Sequence, residues 1–259
     1  MARDAEAQAI TRRRFGAIAG GAFASLIVGD ACSRPTAAEA GNGRLSARPR
    51  ATVTTSAKDG RLGLASGRDA ILKLPATRVE TPMPLLVLLH GASGNGEAML
   101  RRLGTAVDEA GIAVLSPDSR DGTWDAIRDE FGPDVAFLNR ALERVFETVS
   151  IDPARVAVGG FSDGATYALS LGLINGDLFR SIVAFSPGFL VNGPAQGRPR
   201  LFISHGRADQ ILPIDQCSRV LVPMLRNRGY DVTFREFNGR HEVPPDVARE
   251  GLRFMTGKA

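Results

Sequence analysis

Apolar residues after position 68 recur in two alternating patterns, short continuous runs and longer stretches with helical spacing. The continuous runs predict buried strands, because a strand covered by helices on both faces is apolar on consecutive residues. They span residues 70–74, 85–90, 112–116, 155–161, 181–186, 200–205 and 232–237. Strands that alternate with helices in this way predict an α/β fold, a mostly parallel sheet with helices on both faces.

The helical stretches lie between these runs. In residues 133–149, Val135, Leu138 and Leu142 recur at steps of three and four, which aligns them on one face of a helix. Further helices are predicted over residues 162–174, 214–229 and 244–257. Pro223 should bend or shorten the second of these three. Such sheets bind ligands at the carboxyl ends of their strands, so the residues after each strand are the candidates for chemistry.

The first sixty residues follow neither pattern. Residues 1–40 combine three arginines at 12–14 with a weakly apolar run, which predicts an export signal of the twin-arginine kind. That run is shorter than the ~20 residues that cross a bilayer. Cleavage near residues 38–40 is expected, and Cys32 offers a lipid-anchored form as the alternative. Residues 41–60 predict a flexible tether, and residues 61–259 a folded domain, periplasmic or secreted and without a transmembrane span.

Composition narrows the class of protein. With 44% apolar residues among 259, the chain can form a substantial core. The net charge of +4 is scattered, and no basic cluster follows residue 40, so a nucleic-acid surface is not indicated. Cys217 would be the only cysteine of the exported domain, which leaves no internal disulfide to form.

Residues 160–164 read GFSDG, a match to G-x-S-x-G between a predicted strand and a predicted helix. The glycines allow a sharp chain reversal that lifts the hydroxyl of Ser162 clear of the sheet. The start of the following helix favours developing negative charge there. An ordinary strand-to-helix turn is the alternative for the pentapeptide alone. Ser162 is therefore the candidate nucleophile.

A serine nucleophile needs a base, and the base needs an orienting acid. His241 is the candidate base, because it lies in the loop between the last strand and the last helix. His90 and His205 each end a strand directly before a glycine and are expected to shape loops. Asp209, four residues after His205, is the candidate acid. The weaker alternatives are Asp163, Asp177, Asp215 and Glu242. The order Ser162, Asp209, His241 is that of the α/β-hydrolases.

Two backbone N–H groups are candidates for an oxyanion hole, in which one donor lowers the activation barrier by about 3 kcal/mol. One is the amide of Asp163, directly after the nucleophile, so the amide rather than the carboxylate should matter. The other is the amide of Ala92, in a loop whose three glycines let its backbone approach a substrate closely.

Four motifs together resemble the phospholipase/carboxylesterase branch of the α/β-hydrolases, and the chain is similar to small polyhydroxyalkanoate-depolymerase-like esterases. They are HGASGNG at 90–96, GFSDGA at 160–165, HGRADQILP at 205–213 and GRHEVPPDV at 239–247. The resemblance covers about residues 68–255. It implies a serine esterase with the triad Ser162, His241 and Asp209, without metal or cofactor. It also implies that Trp124, the only tryptophan, borders the acyl site, with a packed aromatic as the alternative.

One departure from this family bears on the substrate. The segment 187–199 is too short for the helical lid of true lipases, so an open cleft for short- to medium-chain esters or a protruding polymer chain is expected. A carboxylesterase is the expected function. An acyltransferase, a thioesterase, a polyester depolymerase or, less favoured, a peptidase could use the same triad, and a non-catalytic exported binding protein is the alternative from another class. The pattern leaves the ester and the oligomeric state open.

Overall fold

The computed structural model describes residues 41–50, 53–76 and 82–257, and eight strands form one sheet within this part. They are β1 (Gly60–Arg61), β2 (Ala70–Lys73), β3 (Met83–Leu89), β4 (Ala113–Pro117), β5 (Ile151–Phe161), β6 (Ser181–Phe185), β7 (Arg200–Gly206) and β8 (Val232–Phe237). Their order across the sheet is β1-β2-β4-β3-β5-β6-β7-β8. The pairs β1–β2 and β2–β4 are antiparallel, whereas the six strands β3 to β8 run parallel to one another. The predicted mostly parallel sheet is confirmed.

Helices in the described ranges cover both faces of this sheet. They are α1 (Gly96–Leu103), α2 (Ala106–Ala110), α3 (Asp125–Arg128), α4 (Pro133–Thr148), α5 (Asp163–Ile174), α6 (Ser218–Asn227) and α7 (Pro245–Thr256). A short 3₁₀ helix, Ile214–Gln216, precedes α6. None of these helices is long and apolar enough to cross a membrane.

The central strand β3 shows how the apolar runs build two cores. Leu85 and Val87 face one core, which also contains apolar residues of α4, α5 and α6. Leu86 and Leu88 face the other, with residues of α1, α2 and α7. Successive side chains of a strand point to opposite faces, so a strand inside two layers of helices must be apolar throughout.

The seven predicted strands all form, whereas three helices between β3 and α4 were not predicted. The first, α1, begins within a glycine-rich stretch, and its start depends on Asn95, whose Oδ1 accepts from the N–H of Ala98 at 2.8 Å. The helix predicted over 214–229 is shortened as expected, but the break falls at Cys217 rather than at Pro223, which α6 contains.

The prediction of a flexible tether over residues 41–60 is wrong for residues 43–48, which we call the strap. Leu45 is only 2% exposed and belongs to the core beside α4 and α5. The Asn175 side chain accepts from Leu45 N–H at 2.8 Å and donates to Gly43 O at 2.8 Å. The Asn139 Oδ1 accepts from the N–H groups of Ser46 and Ala47. Two buried amides thus satisfy a backbone whose polar composition suggested a tether.

Ion pairs add to the strap at its surface. Arg44 and Arg48 both contact the carboxylate of Asp177, at 2.9 and 2.5 Å. Hydrogen bonds from these guanidinium groups hold the pKa of Asp177 at about 2. The folded domain therefore starts before residue 61. The predicted export signal and Cys32 lie outside the described residues and stay predictions.

Candidate active site

Ser162 stands at the sharp turn between β5 and α5. Its backbone has φ 57° and ψ −121°, a conformation that side-chain-bearing residues rarely adopt. The glycines on either side are required by close backbone contacts, because a Cβ at Gly160 would overlap the backbone of Gly164, and one at Gly164 would overlap the carbonyl oxygen of Leu89. The turn presents the Ser162 hydroxyl at the carboxyl edge of the sheet, as the motif predicted.

The structure brings together the three side chains that the sequence singled out. The Ser162 Oγ lies 2.9 Å from His241 Nε2, and His241 Nδ1 lies 2.6 Å from Asp209 Oδ2. A proton on Nδ1 donates to the carboxylate, which leaves Nε2 free to accept from the hydroxyl. Asp209 Oδ1 in turn accepts from the N–H groups of Ile211 and Leu212, at 2.9 and 2.8 Å. The Asp209 side chain is fully buried, whereas the imidazole of His241 is 15% exposed.

The loops that carry Asp209 and His241 are joined through their backbones. The N–H of Arg207 donates to Phe237 O and that of Ala208 to Gly239 O, both at 2.9 Å. Gly206 allows this approach, because a Cβ there would overlap the carbonyl oxygens of Gly239 and Arg240. The parallel pairing of β7 with β8 therefore continues into the two loops and sets the distance between acid and base.

His205 is a structural residue, as its position at a strand end predicted. Its ring is completely buried, with Nδ1 2.7 Å from Ser218 Oγ and Nε2 2.7 Å from Leu212 O. Burial lowers the pKa of His205, which favours the neutral ring. Nε2 also lies 3.3 Å from Asp209 Oδ2, so a proton on Nε2 points toward both acceptors. His205 thereby holds the loop that presents the Asp209 carboxylate.

His90 is the second histidine that was expected to shape a loop, and it shapes the loop that carries Ala92. The N–H of Ser119 donates to His90 Nε2 at 2.9 Å, so Nδ1 carries the proton and donates to Gly91 O at 2.7 Å. Burial lowers the pKa of His90 and keeps this neutral form. A Cβ at Gly91 would lie 3.3 Å from the Cβ of Ser162, so the loop passes directly beside the serine.

Trp124 does not occupy the position that the family resemblance implied. Its side chain is completely buried, so it has no surface to offer a substrate, and the predicted acyl contact is wrong. The indole Nε1 donates to His90 O at 2.9 Å, and the ring stacks on Tyr167 with centroids 5.1 Å apart. An indole with one polar edge suits this site between core and backbone. Trp124 therefore supports the loop that carries Ala92 from the core side.

The sequence did not predict the contacts that fix the segment around Trp124. Thr123 Oγ1 donates to Asp163 Oδ2 at 2.6 Å, so the carboxylate of Asp163 ties the loop to the start of α5. Asp125 and Asp134 accept from each other's backbone N–H groups, at 2.8 and 2.7 Å. Burial, with the nearby Asp125 charge, raises the pKa of Asp134 to about 6. Two aspartates nine residues apart were the signal of this reciprocal capping.

Phe161, the variable position before the serine, contacts the base. Its ring centroid lies 4.6 Å from that of His241, tilted by 37°. The guanidinium carbon of Arg102 lies 4.5 Å from the same Phe161 ring. Neither contact was predicted, because the motif leaves this position unspecified and α1 was not foreseen.

Comparisons with known proteins agree with the fold. Residues 135–255 match the family model described as Phospholipase/Carboxylesterase. A Nocardia uniformis subsp. tsuyamanensis protein named as an esterase, NocK, is 29% identical over 187 residues, 66% of this chain and 53% of its own. Feruloyl esterase C of Emericella nidulans is 25% identical, covering 65% of this chain and 64% of its own. The chain thus spans about half to two thirds of these relatives.

Solved structures resemble the described fold over most of their length. The Bacillus cereus carboxylesterase superposes with a TM-score of 0.57 at 20% identity, over 75% of this chain and 96% of its own. This likeness shows a shared fold, and the family match lies in the second half of the chain, which contains Ser162, Asp209 and His241. Over residues 135–255 the chain is thus similar to the phospholipase/carboxylesterase family, and the described residues have the α/β-hydrolase fold.

Proposed function

We propose that this protein is a serine carboxylesterase that cleaves carboxylic esters through an acyl-enzyme. The observation that supports it most strongly is the hydrogen-bonded line from Ser162 through His241 to Asp209. A buried carboxylate, an oriented imidazole and a serine held in a strained turn are the parts that activate a hydroxyl. The esterase relatives point to the same chemistry.

His241 Nε2 takes the proton of Ser162 as the serine oxygen attacks the ester carbonyl. Asp209 keeps the Nδ1 proton in place and stabilises the imidazolium that forms. His241 then returns the proton to the leaving alcohol, and water repeats the two steps on the acyl-serine.

The tetrahedral oxyanion needs donors that are fixed before the reaction. The amide of Asp163 begins α5, where the first N–H groups have no partner within the helix. The amide of Ala92 follows Gly91, whose backbone approaches Ser162. The contacts of His90, Trp124 and Thr123 hold these two backbones rigidly, which supports assigning both amides to the oxyanion hole.

The surroundings of Ser162 favour substrates that reach an open site. The segment 187–199 contains no helix, so this segment does not form a helical lid. Short- to medium-chain soluble esters are the proposed substrates, and a polyester chain is the second class that an open edge admits. Because the relative from Emericella nidulans is named a feruloyl esterase, a feruloyl ester belongs in the substrate panel.

The test is hydrolysis of 4-nitrophenyl acetate and butyrate by the wild type and by Ser162→Ala. We expect the variant to lose at least about a thousandfold in kcat/KM. Ser186→Ala is the matched control, since Ser186 is also a strand-end serine with positive φ but has no hydrogen-bond partner for its buried hydroxyl. Equal rates for wild type and Ser162→Ala would remove the assignment, and an added acceptor alcohol distinguishes hydrolysis from acyl transfer.

We also propose that the protein is exported, on the strength of the arginines at 12–14 and the apolar run after them. Mass measurement of the N-terminus from the periplasm or medium tests this. A start near residue 41 would leave the strap intact, whereas a cytoplasmic, full-length protein would contradict export.

A further inference from the structure

Arg102 is an exposed cation beside the base of the proposed triad. Its guanidinium covers the Phe161 ring at 4.5 Å, and that ring contacts the imidazole of His241 at 4.6 Å. The three groups form a stack that starts in solvent on α1 and ends at His241. Among the described residues, no carboxylate lies within 4 Å of the Arg102 guanidinium.

The sequence of α1 explains why this charge has no partner. The preceding residue, Arg101, pairs with Glu97 one turn back, at 2.6 Å. The residue one turn before Arg102 is Ala98, which offers no carboxylate. The next acidic residues along the chain are already paired, Asp108 with Lys73 at 3.4 Å and Glu109 with Arg249 at 2.8 Å. An arginine held in place by a ring but left without a counter-ion is suited to bind an anion.

The position of Arg102 decides which half of an ester it would meet. His241 must hand its proton to the leaving oxygen, so the alcohol half of the ester lies on the His241 side of Ser162. The stack through Phe161 extends from that same side. A negative group on the alcohol half would approach Arg102, whereas the acyl half would not.

Resting on the proposed esterase activity, we propose that Arg102 is a specificity-determining residue that selects esters whose alcohol half carries a carboxylate, that is, acyl esters of hydroxy acids. The guanidinium binds the carboxylate while the ester carbonyl sits at Ser162. Stacking on Phe161 limits the rotamers of Arg102, so less side-chain entropy is lost on binding. The site is exposed, so the expected effect is modest and sensitive to salt.

The other charges at this edge do not offer the same arrangement. Glu242 Oε1 turns back to accept from the N–H of Arg240, within its own loop. Arg240 precedes His241 in the chain but has no described contact with the rings of His241 or Phe161. It is nevertheless a cation near the base and must be tested beside Arg102.

The experiment compares two acetyl esters whose leaving groups differ in charge, 4-acetoxybenzoate and its methyl ester, and for each ester compares variant with wild type. Release of the 4-hydroxybenzoyl product is followed by absorbance, at low salt, for wild type and Arg102→Met. We expect kcat/KM for the anionic ester to fall about fivefold and that for the neutral ester less than twofold. Arg102→Lys keeps the charge without the planar stack and should lose about twofold. Raising NaCl to 0.5 M should shrink the wild-type preference, because salt screens exposed charges.

Arg101→Met is the matched control on the same helix, since its charge is already paired with Glu97. An equal loss for both esters in Arg102→Met would show that the side chain only packs on Phe161, and would overturn the proposal. So would a selectivity that follows Arg240→Met or Arg101→Met instead. Hydrolysis of both esters without any dependence on Arg102 sinks this inference alone. Failure on both esters, with Ser162 unlabelled by a fluorophosphonate, would overturn the esterase assignment too.

Discussion

The strained backbone of Ser162 predicts that Ser162→Gly is more stable than Ser162→Ala, although both variants are inactive. Ser162→Ala and Ser162→Gly both remove the hydroxyl and its hydrogen bond to His241. They differ only in the Cβ, at a residue with φ 57° and ψ −121°. Comparing the two variants therefore isolates the cost of placing a side chain in this turn.

The magnitude follows from opposing contributions. A side-chain-bearing residue in such a sparsely populated region costs about 1–3 kcal/mol. Glycine relieves that strain but loses about 0.5–1 kcal/mol through the greater freedom of its unfolded chain. The glycine variant also loses the few contacts of the Cβ, which reduces its gain in stability a little further. We expect Ser162→Gly to exceed Ser162→Ala by about 1 kcal/mol in free energy of unfolding, which is about 2–4 °C for a domain of this size.

Urea unfolding measures this difference, and the fluorescence of Trp124 reports it, because the only tryptophan is completely buried. The glycine variant should unfold at higher urea with an unchanged slope. The same pair of substitutions at Ser204, a buried residue within β7, serves as control and should favour alanine. A Ser162→Gly protein no more stable than Ser162→Ala would refute the argument that the turn stores strain.

Two further predictions concern stability. Asn175→Ala leaves Leu45 N–H and Gly43 O without their partner, so we expect a loss of about 3 kcal/mol in urea unfolding, at about 1–3 kcal/mol for each buried group; a loss under about 1 kcal/mol would contradict the role of the strap. Asp134 has its pKa raised to about 6 in the folded protein, so its contribution to stability is complete below about pH 4 and is lost as pH rises through 6. Thermal unfolding at pH 4.5 and pH 7 should therefore show wild type gaining on Asp134→Asn at the lower pH, by at most about 3 kcal/mol; a pH-independent gap would show that the carboxyl titrates normally.

Local signals made much of the site predictable. The elbow needs Gly160, Ser162 and Gly164 within one turn, and parallel strands place Asp209 and His241 at the same edge. A glycine directly follows both His90 and His205, and this distinguished the two loop histidines from His241, the candidate base. These inferences succeed because a single short segment sets the relevant backbone.

Predictions failed where distant residues decide the outcome. The strap looks like a tether because its backbone partners, Asn139 and Asn175, lie about 90 to 130 positions later. The ring of Trp124 points inward because its indole N–H donates to the carbonyl oxygen of His90. The spacing of residues along the sequence does not reveal that direction. The stack of Arg102 on Phe161 joins two elements whose meeting depends on how α1 packs.

The strap also has a consequence for the order of folding. Its hydrogen bonds to Asn175 close loops of 130 and 132 residues. Contacts between such distant positions form slowly, because the entropy of loop closure must be overcome before they contribute. The helices that hold the strap must be in place first, so the strap docks late although it is synthesised before them. The edge of the described domain that holds the strap is thus completed by helices that come later in the chain.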